Sequence, residues 1–103
     1  MTHRLIIREQ AEADLTDAAI WYESQRPGLG TEFLAEVDAA LARASATPRQ
    51  FRRLRRKPDV RRALTKRFLF CIFFVLRPDA VVVFRVLHGA RHQREWKRNT
   101  PEN

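Results

Sequence analysis

The sequence predicts an α+β fold, a small antiparallel-rich sheet with a helical hairpin packed on one face, in the order β-α-α-β-β-β. Three observations carry this prediction. Apolar residues recur twice at helical spacing in the first half, a Pro/Gly break divides those two stripes, and the second half holds a long apolar run, a turn and another apolar run. At 103 residues the chain supports one core, read as a single domain over 1–103 with a basic tail from about 97.

Each element follows from local pattern. Residues 3–8 (HRLIIR) are short, partly β-branched and closed by charge, as suits a first strand. From Glu9 to about Gln25, Ala11, Leu15, Ala18, Ala19 and Tyr22 form one apolar stripe, and Glu9 and Glu12 favour the positive end of the helix dipole. No Ser, Thr, Asp or Asn stands just before Glu9, so the usual capping signal is missing. Arg26, Pro27, Gly28, Leu29 and Gly30 break the pattern, after which Phe33, Val37, Ala40, Leu41 and Ala44 make a second stripe that Pro48 ends. Arg49 to Lys57 holds six basic residues with Phe51 and Leu54 as its only apolar anchors, and reads as an exposed connection. Val60 to Lys66 suits a strand with one wet face or at a sheet edge. Phe68 to Leu76 shows no alternation, so both its faces should be covered. Arg77, Pro78 and Asp79 supply a turn before Val81 to Leu87, making a hairpin, and Gly89 releases the last strand. Trp96 is the one apolar feature of a polar, basic end and can pack back on the body. The opposite sheet face is expected to stay available for binding.

Charge is unevenly spread. The formal net charge is +8, yet residues 1–47 carry four basic and eight acidic side chains, leaving sixteen basic and four acidic ones from Arg49 onward. That asymmetry argues for an anionic partner. The longest apolar run spans nine residues, 68–76, against the roughly 20 of a membrane-spanning helix, so no membrane role is expected. With a lone Cys71 and no charged-then-apolar leader before Arg4, the cytoplasm is the expected compartment.

Few residues suggest chemistry. Arg85 lies in an apolar strand, where an isolated charge is costly, so it must point outward or be paired, possible partners being an anionic target or an acidic residue of the hairpin. His88 can act as an acid or base, or simply cap a strand end. His88 and His92 flank Gly89 without a third ligand, so no metal is expected, nor any cofactor. Trp21 and Tyr22 are adjacent on a helix and cannot both face one core. Cys71 reads as a small buried filler.

Trp21, Tyr22, Glu23, then Arg26 to Gly30, then Glu32, Phe33 and Leu34 resemble the RelE/ParE superfamily of toxins from bacterial type II toxin–antitoxin pairs. The end of the last strand does too, Arg85, Val86, Leu87, His88, Gly89, Ala90 and Arg91 being similar to the ending of ParE-type members, and Val60, Arg61 and Arg62 also fit. The resemblance implies a toxin neutralised in a hetero-oligomer by an acidic cognate antitoxin, which folds on the toxin and contacts Trp21, Tyr22 and Phe33. It implies DNA gyrase as the target of ParE-like members and ribosome-bound mRNA as the substrate of RelE-like ones. In the RelE-like ribonucleases an Arg early in the central strand, an Arg past the last strand and a Tyr near the C terminus carry the reaction. Here the first position holds Cys71, Arg91 matches the second, and only Trp96 and Lys97 stand near the third. The ParE-like branch is therefore the expectation, with Arg61, Arg62, Arg85, His88, Arg91, Arg94 and Trp96 as target contacts. The alternatives are an mRNA endonuclease using His88 and Arg91, and a non-toxic antitoxin-binding member.

Overall fold

The computed structural model describes residues 3–89 and 95–101. Strand β1 (Arg4–Ile7) leads into helices α1 (Glu9–Gln25) and α2 (Leu29–Ala46), then a single 3-10 turn (Pro48–Gln50). Strands β2 (Arg52–Arg55), β3 (Val60–Leu64), β4 (Phe70–Leu76) and β5 (Ala80–His88) follow, and a short helix α3 (Glu95–Asn99) comes last. The sheet order is β1-β5-β4-β3-β2, with β1 parallel to β5 and every other pairing antiparallel. The α+β architecture and the helical hairpin are as the sequence predicts.

The hairpin forms because its two stripes close on one sheet face. Ala11, Leu15, Ala18, Ala19 and Tyr22 of α1 join Phe33, Val37, Ala40, Leu41 and Ala44 of α2 over Phe70, Ile72, Phe74 and Leu76 of β4. Helix α1 starts after Arg8 without a side-chain cap, as its sequence implies, whereas α2 is capped from across the hairpin: the Glu23 carboxylate accepts hydrogen bonds from Gly28 N at 2.9 Å and Gly30 N at 3.0 Å, satisfying donors at its start. Gly28 adopts a φ of +89°, and a Cβ on Gly30 would stand 2.6 Å from the Ala19 carbonyl oxygen, so both glycines are needed for this crossing.

The apolar run of β4 conceals an alternation. Phe70, Ile72, Phe74 and Leu76 face the helices, while Cys71, Phe73 and Val75 enter a second core with Val60, Ala80, Val82, Phe84 and Trp96. Both faces of β4 are thereby buried. A register shift opposite Phe73 and Phe74 leaves Phe84 as the extra residue of a bulge, so that Arg85, not Phe84, lies across from Phe73.

Four expectations need correction. Arg49 to Lys57 is not merely a connection: it contains the 3-10 turn and β2, because pairing with β3 satisfies the backbone and Leu54 reaches the second core. Consequently β3 lies inside the sheet and β2 takes the edge. The second sheet face is only partly open, since Trp96 stacks on Phe73 at its middle with ring centroids 5.9 Å apart and planes 14° from parallel. Lys97 and Arg98 belong to α3, and Pro101 beyond them is buried, so no free tail begins at 97.

Candidate functional site

The sheet ends asymmetrically. Strand β1 accompanies β5 only as far as Val83, and α1 then runs beside the remaining edge. There the Asp14 carboxylate accepts a hydrogen bond from Val86 N at 2.9 Å, occupying a backbone donor that no strand pairs. It also takes both prongs of the Arg85 guanidinium, Nε at 2.8 Å and Nη2 at 3.1 Å. Nη1 of Arg85 donates to Asn99 Oδ1 at 2.7 Å and Glu95 Oε2 at 3.3 Å, tying α3 to the same point. Arg85 is only 9% exposed, and its hydrogen bonds with Asp14 hold its pKa above the usual arginine value despite burial.

An open cavity of about 420 Å³ lies over this knot, lined by Asp14, Asp17, Arg85, Val86, Leu87, His88 and Glu95 among others. A second cavity of about 340 Å³ continues it along α1, lined by Ala18, Trp21, Tyr22, Phe70 and His88. His88 sits where the two meet, half-buried with its ring edge-on to Phe70 at 5.5 Å.

Trp21 and Tyr22 divide as adjacent helix positions must. Trp21 is 58% exposed, whereas Tyr22 packs among Phe33, Phe68 and Phe70, and burial pushes its hydroxyl pKa up. Phe33, expected at the antitoxin contact, is instead fully buried beneath Tyr22, since its helix position lies at the centre of the α2 stripe. Beside them the β3–β4 turn places Phe68 and Leu69 at φ of 70° and 54°, a left-handed conformation costly for side chains of this size. Gly89 N donates to Leu69 O at 2.7 Å, and a Cβ on Gly89 would stand 2.9 Å from that oxygen, so this glycine fits against the turn. Leu69 is thereby held outward, 64% exposed. Arg67 and Arg26 both contact Glu32, at 3.0 and 3.3 Å, and their hydrogen bonds hold its carboxyl below the usual range.

The expected basic face is not one surface. Arg61 and Arg62 point to opposite sides of β3. Arg61 is 7% exposed, pairs with Asp59 at 3.0 Å and donates to the carbonyls of Arg49 and Phe51, so it braces the β2 approach from inside. Arg62 lies on the other face and is half-buried. Trp96 is buried against Phe73, with Arg55 and Lys97 over its ring at 5.3 and 5.7 Å. Arg91, Arg94 and His92 lie outside the described residues. Cys71, at the ribonuclease position, is buried in the second core, and desolvation pushes its thiol pKa up while Arg62 partly opposes this. Among the described residues no three His, Cys, Asp or Glu side chains gather as a metal site would need.

Asp14, Asp59 and Leu69 escape sequence reasoning, and Glu23, part of the recognised motif, gives no sign there of its capping role. Only Asp59, two residues from Arg61, leaves a local trace; Asp14 finds Arg85 through the fold alone.

Residues 5–93 match the family described as "ParE toxin of type II toxin-antitoxin system, parDE". The chain belongs to the ParE toxin family. This ParE member also shares its fold with a chain from the chromosomal ParDE toxin–antitoxin system of P. aeruginosa, at a TM-score of 0.73 and 18% identity over 84% of this chain and 96% of that one. It is similar, less closely, to a chain of the RelBE2 toxin–antitoxin complex of Mycobacterium tuberculosis, at a TM-score of 0.54 and 21% identity over 85% and 99% of the two chains. No curated protein matches the sequence. As a ParE toxin the chain is the toxin component of a type II toxin–antitoxin system. Among the described residues no helix is long and apolar enough to cross a membrane.

Proposed function

We propose that this ParE member poisons DNA gyrase in the cytoplasm by binding it, without cutting RNA, and that a cognate antitoxin silences it by docking on the hairpin side. The observation that carries the binding reading is Cys71. Where the RelE-like ribonucleases place an arginine early in the central strand, this chain buries a thiol whose proton desolvation holds more firmly. Trp96, near the position of the third expected group, is packed against Phe73 and contributes no acid.

The exposed large apolar residues support the antitoxin reading. Ile20 and Trp21 on α1, Leu34 on α2, and Leu64 and Leu69 at the β3–β4 turn present apolar area, with the smaller cavity beside Trp21. An amphipathic segment that folds on binding buries its apolar stripe on such a surface, with Trp21 as anchor. Target contacts fall to His88 and Arg62, with Arg85, Arg61 and Trp96 supporting them from beneath.

Purified protein is expected to inhibit gyrase supercoiling, and a Trp21→Ala variant to retain that inhibition while escaping the antitoxin. Cleavage of ribosome-bound mRNA that His88→Ala abolishes, with supercoiling untouched, would overturn the reading in favour of an endonuclease.

A further inference from the structure

One row of side chains crosses the second sheet face: Arg52 on β2 opposite Arg62 on β3, Arg62 opposite Phe73 on β4, and Phe73 opposite Arg85 on β5. Directly opposed residues share a face with Cβ atoms about 5 Å apart. Arg85 is neutralised by Asp14, and Phe73 is covered by Trp96. Arg52 and Arg62 have neither arrangement. Two like charges stand side by side, and among the described residues no carboxylate pairs with either one. Such a pair is destabilising until an anion sits between the two groups. Arg53, Arg56 and Lys57 extend the exposed positive edge.

We infer that the β2 edge, centred on Arg52 and Arg62, binds the phosphate backbone of duplex DNA. Arginine's planar fork matches phosphate oxygens in pairs, and the neighbouring guanidinium groups make a seat for one phosphate with further cations along the edge. The surroundings choose among polyanions. An acidic amphipathic segment needs apolar area to bury, yet no exposed large apolar residue lies on β2, and Leu64 is the only one on β3. A single strand binds by stacking its bases on aromatic rings, but Phe73, the ring across from Arg62, is stacked against Trp96, whose own ring also meets Arg55 and Lys97. A duplex backbone needs only charge in register. The choice of DNA over RNA rests on the gyrase reading, since gyrase holds duplex DNA beside whatever docks on it.

The test is fluorescence anisotropy of the purified full chain with a labelled DNA duplex of arbitrary sequence, titrated at salt concentrations from about 50 to 200 mM. Binding that weakens steeply with salt is expected. An Arg52→Gln/Arg62→Gln double variant should flatten the slope of log K against log salt by about one, the share of the single phosphate that the pair seats. Arg26→Gln, which removes an exposed charge on the hairpin, should leave the slope unchanged. Thermal melting of the double variant confirms its fold and should show no loss of stability, because like-charge repulsion is removed. The inference is overturned by absent duplex binding at the lowest salt, by an unaltered slope in the double variant, by polyglutamate competing as well as the duplex, or by RNA duplex binding in preference to DNA. No gyrase is present in the measurement, so this failure is distinguishable from failure of the gyrase reading.

Discussion

Arg85 and Arg62 stand in one cross-strand row, separated by Phe73, yet the fold treats their charges in opposite ways. At the β5 end, the guanidinium is enclosed by α1 and α3 and meets Asp14, Glu95 and Asn99. At the β3 end, the charge is half-buried beside another arginine, and among the described residues no carboxylate pairs with it. The first is internal structure, because burying a charge demands a partner within the chain. The second leaves its neutralisation to another molecule. Net charge alone cannot tell these apart, although both contribute to the basic half of the sequence.

The largest expected effect comes from breaking the enclosed end. Asp14→Ala leaves Arg85 buried without its main partner and frees Val86 N, and is expected to cost about 4 kcal/mol in denaturant unfolding. An unchanged midpoint would show that Arg85 swings out to water. Next comes the middle of the row, where Trp96→Ala uncovers Phe73; about 3 kcal/mol is expected from the same measurement, with α3 loosened in hydrogen exchange. A loss confined to α3 without any change in global stability would mean that the second core stands without its cover.

The smallest effect lies at the open end and is read through Cys71. Burial raises its thiol pKa above 9.0, and Arg62 lowers it. As pH rises past 9.0 the unfolded chain releases this proton before the folded one, so it then binds fewer protons and stability falls; below that range the thiol adds no slope. Arg62→Gln removes the opposing charge and should move native thiolate formation, followed by ultraviolet absorbance, to still higher pH. A shift downward would contradict the placement of Arg62 on the face of Cys71.

Local pattern carried the sequence reading furthest. The bounds of α1, the stripe of α2 and the β4–β5 hairpin were legible because helical period and turn chemistry are written within a few residues of one another. Strand β2 was not, since its arginines carry no alternation and become a strand only through β3. Arg85 was legible as a charge needing a partner, but its pairing with Asp14 is a property of the folded chain. The bulge at Phe84 was invisible for the same reason, though it decides which residue of β5 meets Phe73.

The parallel pairing of β1 with β5 has a consequence for synthesis. Arg4 to Ile7 leave the ribosome before every other strand of the sheet, while their partners Ala80 to Val83 emerge after β2, β3 and β4. The hairpin, latched through Glu23, can close early from neighbouring residues, but the first strand must wait with its edge unpaired. Completion of the sheet is therefore a late event in the birth of each molecule. A toxin assembled in this order acquires its full surface only as its final strand arrives.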